Sequence, residues 1–387
     1  MPLPAPTPRF AITLASITLI GPLSIHLFLP LMPAVQRDFG ISSATVGMTF
    51  TVTLFAMAFA TLVYGSLSDR LGRRPVLLAG LALFLAGSAL CALAGSVVAL
   101  ILGRLLQAIG AGAGLTLSRA MARDAYGPEG LVKVIAYITM GYTLGPMVAP
   151  FIGGILVDRF GWRSAFGVAL LAGIVVTIAV VAILHETLPR ANRVKHAIPL
   201  VSSYFQLLRQ PIFDSFILQT GFSTGVFLSM AAASSFLMKD YLGRSATEFG
   251  AYFILFPIGF LLGNFISSRL TKRVSIETMV LAGSILTTLT IATQSAFVLA
   301  GIVVPLTIFI PGFLITLSQG IAMPNAQAGA IRVNAHLAGT AAGLGVFAQM
   351  FIGAVFVQFY ATIADGTPIP MVITTAITPT PAPLLNR

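Results

Sequence analysis

Two ionisable side chains fall inside long apolar runs. They are His26, in Gly21-Pro-Leu-Ser-Ile-His-Leu-Phe-Leu-Pro30, and Arg104, in Arg104-Leu-Leu-Gln-Ala-Ile-Gly-Ala-Gly112. A histidine takes up or releases a proton near neutral pH, whereas an arginine keeps its charge. An arginine buried in apolar surroundings is costly and is a functional candidate for that reason. All eleven Asp and Glu residues lie in polar segments or at the ends of apolar runs. By elimination, His26 is the interior group able to exchange a proton, and it is read as neutral at rest. The other reading of His26 is a neutral ring hydrogen-bonded inside the first half. Asp124 lies close to Arg119 and Arg123; a structural ion pair is its first reading and proton coupling its second. No residues carry other chemistry. The single cysteine, Cys91, excludes a disulfide framework. His26, His185, His196 and His336 have no metal-ligand spacing. There is no Ser–His–acid set and no phosphate-binding Gly-rich loop. Neither an enzyme, a metal nor a cofactor is expected.

These groups sit in an overwhelmingly apolar chain. Of 387 residues, 57% are hydrophobic and 9% charged, and the mean hydropathy is +0.96. Soluble domains are about 25% charged. The composition excludes a soluble enzyme and a nucleic-acid-binding domain, and it leaves an all-α polytopic membrane protein. Eleven runs are long enough to span a bilayer: 11–33, 44–66, 75–94, 97–121, 132–156, 164–185, 212–237, 248–270, 277–297, 300–324 and 336–362. A twelfth, near 367–380, is short and proline-rich. With a cytoplasmic N-terminus, sixteen Lys and Arg lie on the inner side and five on the outer side. That bias places the N-terminus inside and reads the net charge of +11 as topology, not as a nucleic-acid surface. The hydrophilic stretch Glu186 to Pro211 divides the chain. The domains expected are 1–189, a first six-helix half; 190–211, a central cytoplasmic loop; and 212–387, a second half with a weak last helix. The halves echo each other: Gly65-Ser-Leu-Ser-Asp-Arg-Leu-Gly-Arg-Arg74 follows span 2 as Gly263-Asn-Phe-Ile-Ser-Ser-Arg-Leu-Thr-Lys-Arg273 follows span 8. Such a repeat is a pattern of secondary transporters.

Three motifs stand out. Gly65, Asp69, Arg70, Gly72, Arg73 and Arg74 form a tight inter-helix turn in which glycine suits crowded backbone. Arg104, Gln107, Gly110 and Gly112 mark span 4. Gly141, Gly145, Pro146, Pro150, Gly153 and Gly154 mark span 5, where small residues let helices approach and prolines bend them.

Taken together, these motifs resemble those of the major facilitator superfamily, over residues 10 to 366. They match its loop 2–3 motif, its span-4 arginine motif and the span-5 motif associated with antiporters. Within it, Gly21–Pro33, Ser118-Arg-Ala-Met-Ala-Arg-Asp-Ala-Tyr126 and Ala338-Gly-Thr-Ala-Ala-Gly343 are most similar to the Bcr/CflA group of bacterial drug efflux proteins. The resemblance implies a major facilitator fold of two six-helix pseudo-repeats rocking about a central cavity. It implies proton-coupled export of drugs such as bicyclomycin or amphenicols, from a bacterial inner membrane. In this group, span 1 usually carries an aspartate and a tyrosine where His26 and Phe28 stand here. Asp69, Arg70 and Arg73 would act as a gate between the halves, with Asp69 meeting the start of span 11 near Asn334 to Gly339.

The candidate substrate cavity is lined by His26, Phe28, Arg104, Gln107, Tyr137 and Tyr142 from the first half, and by Gln219, Phe222, Asn264, Gln319 and Gln349 from the second. Amides without acids suit a neutral or zwitterionic amphiphile, although an amide in a span also serves as glue between helices. The expected function is secondary active efflux of small, mostly neutral drugs by a monomer, with lipids, protons and a drug or metabolite as partners. The alternatives are an importer or facilitator of a neutral metabolite, or a non-transporting membrane homologue.

Overall fold

The structure, a computed structural model, describes residues 7–126, 128–189, 191, 193, 200–271, 273–333 and 337–377. The elements in chain order are α1 (Pro8–Phe28), a 3₁₀ turn (Leu29–Leu31), α2 (Met32–Phe39), α3 (Ser43–Leu71), α4 (Arg73–Ala92), α5 (Val97–Ala125), α6 (Pro128–Phe160), α7 (Arg163–Ile183) and α8 (Leu200–Leu208). They continue with α9 (Pro211–Phe236), a π-helical turn (Leu237–Tyr241), α10 (Ala246–Phe253), α11 (Leu255–Leu270), α12 (Ile276–Leu299), α13 (Pro305–Val333), α14 (Ala338–Ile363) and α15 (Ile369–Thr375). Among the described residues there is no strand, and eleven helical segments are long and apolar enough to cross a membrane. The expected all-α architecture is present.

The helices outrun the apolar runs that announce them. At 1.5 Å per residue, the 29 residues of α3 extend past a hydrocarbon layer about 30 Å thick. Its last turn therefore carries Asp69 and Arg70 beyond the apolar stretch. Hydroxyls at helix entries satisfy free N–H groups: Thr7, Ser96, Ser245 and Ser275 accept from Phe10, Ala99, Glu248 and Thr278. The eighth span is two helices, broken at Ile254. Pro257 supplies no N–H and its ring crowds the carbonyl of Phe253, four residues earlier, so the ladder is interrupted there. The central segment expected as loop contains α8, whose Leu207 is fully buried. The twelfth place holds the seven-residue α15, too short to cross a bilayer; the remainder of the proline-rich stretch, from 378, lies outside the described residues.

The chain forms two compact units: Met1–Ala34 with Val52–Ile198, and Val35–Thr51 with Pro199–Arg387. In the first, α1 packs on α5, α6 and α7, and α4 on α5 and α7. Its core joins Phe10, Leu14 and Ile17 of α1 to Leu77, Leu81 and Phe84 of α4 and Leu117 and Met121 of α5. In the second, α9 packs on α13 and α14, and α13 on α11 and α12. The pairing repeats: α1 meets α6 as α9 meets α14, and α4 meets α5 as α12 meets α13. The start of α3 belongs to the second unit, where the Gln358 amide donates to the Ala44 carbonyl at 3.3 Å.

Candidate functional site

The first unit encloses a polar cluster around Arg104. The side chain is 0% exposed. Its Nη1 donates to the Ser24 carbonyl at 3.0 Å and to Gln107 Oε1 at 2.8 Å. Gln107 Nε2 in turn donates to Ser88 Oγ at 2.9 Å. Arg104 and Gln107 share one face of α5 because they are three residues apart. The guanidinium stands 4.6 Å from the centre of the Phe28 ring and 5.9 Å from that of Phe166, an attraction between cation and ring face. Groups of α1, α5 and α7 therefore meet the cation directly, and α4 joins the cluster through Ser88 and Gln107.

His26 lies between Ser24 and Phe28 on α1, at the level of Arg104, as its depth in the sequence suggests. It is buried, and its Nδ1 lies 2.9 Å from the Pro22 carbonyl. A carbonyl only accepts, so Nδ1 carries the hydrogen and Nε2 is the basic nitrogen of the neutral ring. Tyr137 is exposed and Tyr142 half-buried, both on α6. The structure thus brings Phe28, Arg104 and Gln107 together and leaves the two tyrosines outside that cluster.

A second cluster occupies the α3–α4 turn. Gly72 has φ of 105°, a conformation that favours glycine. Arg73 is buried: its Nη1 donates to Asp69 Oδ1 and Ser68 Oγ, both at 2.6 Å, and its Nε to Asp124 Oδ2 at 2.9 Å. The Arg73 backbone N–H donates to Glu186 Oε1 at 2.9 Å, and Thr187 Oγ1 reaches Asp124 at 3.4 Å. Arg74 Nη2 donates to the Val181 carbonyl at 3.1 Å, and Arg70 is exposed. Asp124 is thus in an ion pair, but with Arg73 instead of the neighbouring Arg119 or Arg123. The turn is read as crowded from Gly65 onward, yet a Cβ at Gly65 would meet nothing within 4 Å. Gly65 lies inside α3, clear of the turn. The segment expected to meet Asp69 includes residues 334–336, which lie outside the described residues.

The span-5 glycines and prolines all lie on α6. Three of the glycines face α1, where an added Cβ would lie 2.6 Å from Pro22 Cβ at Gly145 and 2.8 Å from the Leu27 carbonyl at Gly153, and would strike the Ala15 carbonyl at Gly141. Pro150 and Gly154 are buried and Pro146 is half-buried. Backbone rests on backbone along this seam, which only glycine allows.

In the second unit the amides bridge helices. Gln219 Nε2 of α9 donates to Ser284 Oγ of α12 at 3.0 Å, and the Gln319 amide of α13 donates to the Ser223 carbonyl of α9. Phe222 meets Phe356 edge-on at 5.5 Å. Asn264 is half-buried on α11. Gln349 is buried on α14, and among the described residues its Nε2 and the Oε1 of Gln219 have no hydrogen-bond partner. The sequence reading missed Ser24, Ser88, Phe166, Glu186 and Ser284. Ser88 and Ser284 were visible as hydroxyls in apolar runs, but a backbone carbonyl such as that of Ser24 leaves no mark in a sequence. Among the described residues no group of three metal-ligating side chains converges.

The sequence pattern described as Major Facilitator Superfamily matches residues 14–357, and the chain belongs to this superfamily. It is therefore a multi-pass membrane transporter and not an enzyme. A Bacillus subtilis protein named uncharacterized MFS-type transporter YdgK is 29% identical over 372 residues, covering 93% of this chain and 90% of that one. The bicyclomycin resistance protein homolog of Haemophilus influenzae is 28% identical, covering 94% and 92%. The multidrug resistance protein MdtL of Escherichia coli (strain K12 / DH10B) is 30% identical, covering 83% of each chain. These relatives bear out the similarity to a drug-resistance group. Among solved structures, a D-xylose-proton symporter superposes with a TM-score of 0.75 at 12% identity, covering 95% of each chain. A bacterial homolog of the human lysosomal transporter Spinster, inward-facing and unoccupied, gives 0.73 at 19%, covering 92% of this chain and 81% of that one. Both likenesses show the fold.

Proposed function

For a chain that belongs to the major facilitator superfamily, we propose secondary active efflux of small, mostly neutral amphiphilic drugs by alternating access, in exchange for protons. The chain would sit in a bacterial inner membrane with its N-terminus cytoplasmic, as a six-helix half and a second half with a short last helix, joined by the central segment. The observation that carries the reading is the α1–α6 seam, where Gly141, Gly145 and Gly153 let α6 close directly on the α1 backbone and on the rings of Pro22 and Pro30. A seam of this kind packs two helices closely enough to move as one block. Relatives named for bicyclomycin and multidrug resistance support export.

Substrate recognition falls to uncharged donors and acceptors: Gln219 Oε1 and Gln349 Nε2 keep hydrogen-bonding capacity that no described residue uses. An acid-free interior of this kind suits bicyclomycin- or amphenicol-type compounds better than lipophilic dications. His26 carries the coupling proton on Nε2, because Nδ1 is committed to Pro22. Asp124 is engaged by Arg73 and Thr187 and serves structure.

The test is drug accumulation in cells expressing this chain or His26→Asp, with the proton gradient present and collapsed. Wild type should lower accumulation of at least one neutral antibiotic, and collapse should restore it. His26→Asp should move the pH dependence of export. Export that survives collapse would refute the coupling; equal accumulation with and without the protein for every compound would refute efflux.

A further inference from the structure

Arg104 presents donors that the protein does not use. A guanidinium has five N–H bonds. The Nη1 side is spent on Ser24 and Gln107, and the ring of Phe28 covers a face. The opposite edge, Nε and Nη2, is buried and has no hydrogen-bond partner among the described residues. That edge holds two parallel N–H bonds, the fork that grips a two-oxygen anion. No described carboxylate pairs with Arg104: Asp69, Asp124 and Glu186 are engaged at the α3–α4 turn, and the sequence places every acid at a span end or in a loop. Phenylalanine faces and two neutral carbonyl oxygens, of Ser24 and of the Gln107 amide, reduce the cost of a buried cation but do not neutralise it.

We propose that Arg104 binds a compact anion on its Nε–Nη2 edge, inside the first unit among α1, α4, α5 and α7. The ligand class is a small monoanion that accepts two hydrogen bonds side by side, such as a carboxylate or nitrate, with a halide as the spherical equivalent. It arrives either as a free solute ion or as the anionic group of an organic molecule. Gln107 positions the cation by accepting from Nη1, and the Ser88 hydroxyl fixes the Gln107 amide so that its oxygen faces the arginine. The site depends on neither the direction of transport nor proton coupling, so it stands or falls separately from the efflux reading.

Unfolding is followed by loss of the helical circular-dichroism signal, because the buried Cys91 packs against Gly103, next to Arg104, and its labelling would respond to the site itself. The full chain in detergent is melted at constant ionic strength, replacing bulky gluconate by chloride, nitrate or formate, and in parallel adding benzoate or its neutral counterpart benzamide. A saturable rise of about 3 °C is expected in wild type. Arg104→Gln should abolish it. Gln107→Glu, of nearly the same shape, supplies an internal carboxylate; it should melt in gluconate as wild type does in saturating anion and show no further shift. A rise with chloride, nitrate or formate identifies a free ion. A rise with benzoate but with neither benzamide nor the inorganic ions identifies an anionic group on an organic ligand. No shift with any probe, or the same shift in the folded Gln107→Glu protein, overturns the proposal.

Discussion

Arg73 makes two ion pairs whose lengths and solvation point in opposite directions, and a double-mutant cycle separates them. The contact to Asp69 is the shorter, 2.6 Å against 2.9 Å for Asp124. The Asp69 side chain is 41% exposed, however, and that of Asp124 only 16%. Water screens the first pair, and exposed pairs contribute about 0.2–1 kcal/mol. Removing one partner of a buried pair costs about 3–5 kcal/mol, because the other charge stays behind without compensation. Asp124 retains some water and the Thr187 hydroxyl, which brings its pair below that range, to about 2–3 kcal/mol. Arg73→Gln should therefore cost about 3 kcal/mol in total. Its coupling to Asp124→Asn should be about 1.5–3 kcal/mol, and to Asp69→Asn about 0.5 kcal/mol or less. Reversible unfolding in mixed micelles, followed by labelling of Cys91, measures all three. A coupling to Asp69 equal to or larger than that to Asp124 would show that distance outweighs solvation here. The account of the turn as one buried pair with a solvated companion would then be wrong.

Three further outcomes are expected. Gly145→Ala pushes a methyl to within 2.6 Å of Pro22 Cβ and 2.9 Å of the Leu23 nitrogen. Neither ring nor backbone can swing aside, so stability should fall by about 1–3 kcal/mol and export with it. Gly65→Ala enters open space inside a helix and should leave stability unchanged or raise it by up to about 1 kcal/mol. The same unfolding assay decides both. At the entry to α15, the Thr367 N–H and hydroxyl bond to Asp365 at 2.8 and 2.7 Å and hold its carboxyl below the ordinary aspartate range. A lowered carboxyl contributes stability at neutral pH and loses it as pH falls through its folded value. The protection factors of the amides across residues 366–376, taken against the rate of an unstructured peptide at each pH, should therefore fall in acid, and Asp365→Asn should remove that acid dependence.

What the sequence disclosed follows from the length scale of each feature. Spans are legible because a bilayer demands about 20 apolar residues in a row, and eleven such runs became eleven spans. Their ends were less legible, since helices continue through polar residues wherever backbone bonding is still favourable, as α3 does through Asp69 and Arg70. The break at Ile254 was announced by Pro257 but carries no change in hydropathy. The nine residues of α8 are too few to show a period beside a charged segment; the burial of Leu207 becomes visible only once it meets Phe213 and Phe216.

The polar groups divide in the same way. That Arg104 is exceptional follows from one letter in an apolar run, and that it has no internal carboxylate follows from counting acids. Which of its donors are spent does not follow from any pattern. Ser24 offers a carbonyl that every residue possesses, Ser88 and Gln107 lie 19 positions apart, and Phe166 is one of 28 phenylalanines. The amides show why composition alone misleads. Three glutamines assigned to a ligand from their type (Gln107, Gln219 and Gln319) already bridge helices through one amide group. Ligand chemistry must therefore be sought among the valences left over, which include the Nε–Nη2 edge of Arg104, Gln219 Oε1, Gln349 Nε2 and both amide atoms of Gln294. A charged, two-pronged donor in one unit and neutral amide groups in the other select for different partners. The anion and the neutral drug are thus separable by mutation, with Gln107→Glu acting on the first and Gln349→Leu on the second.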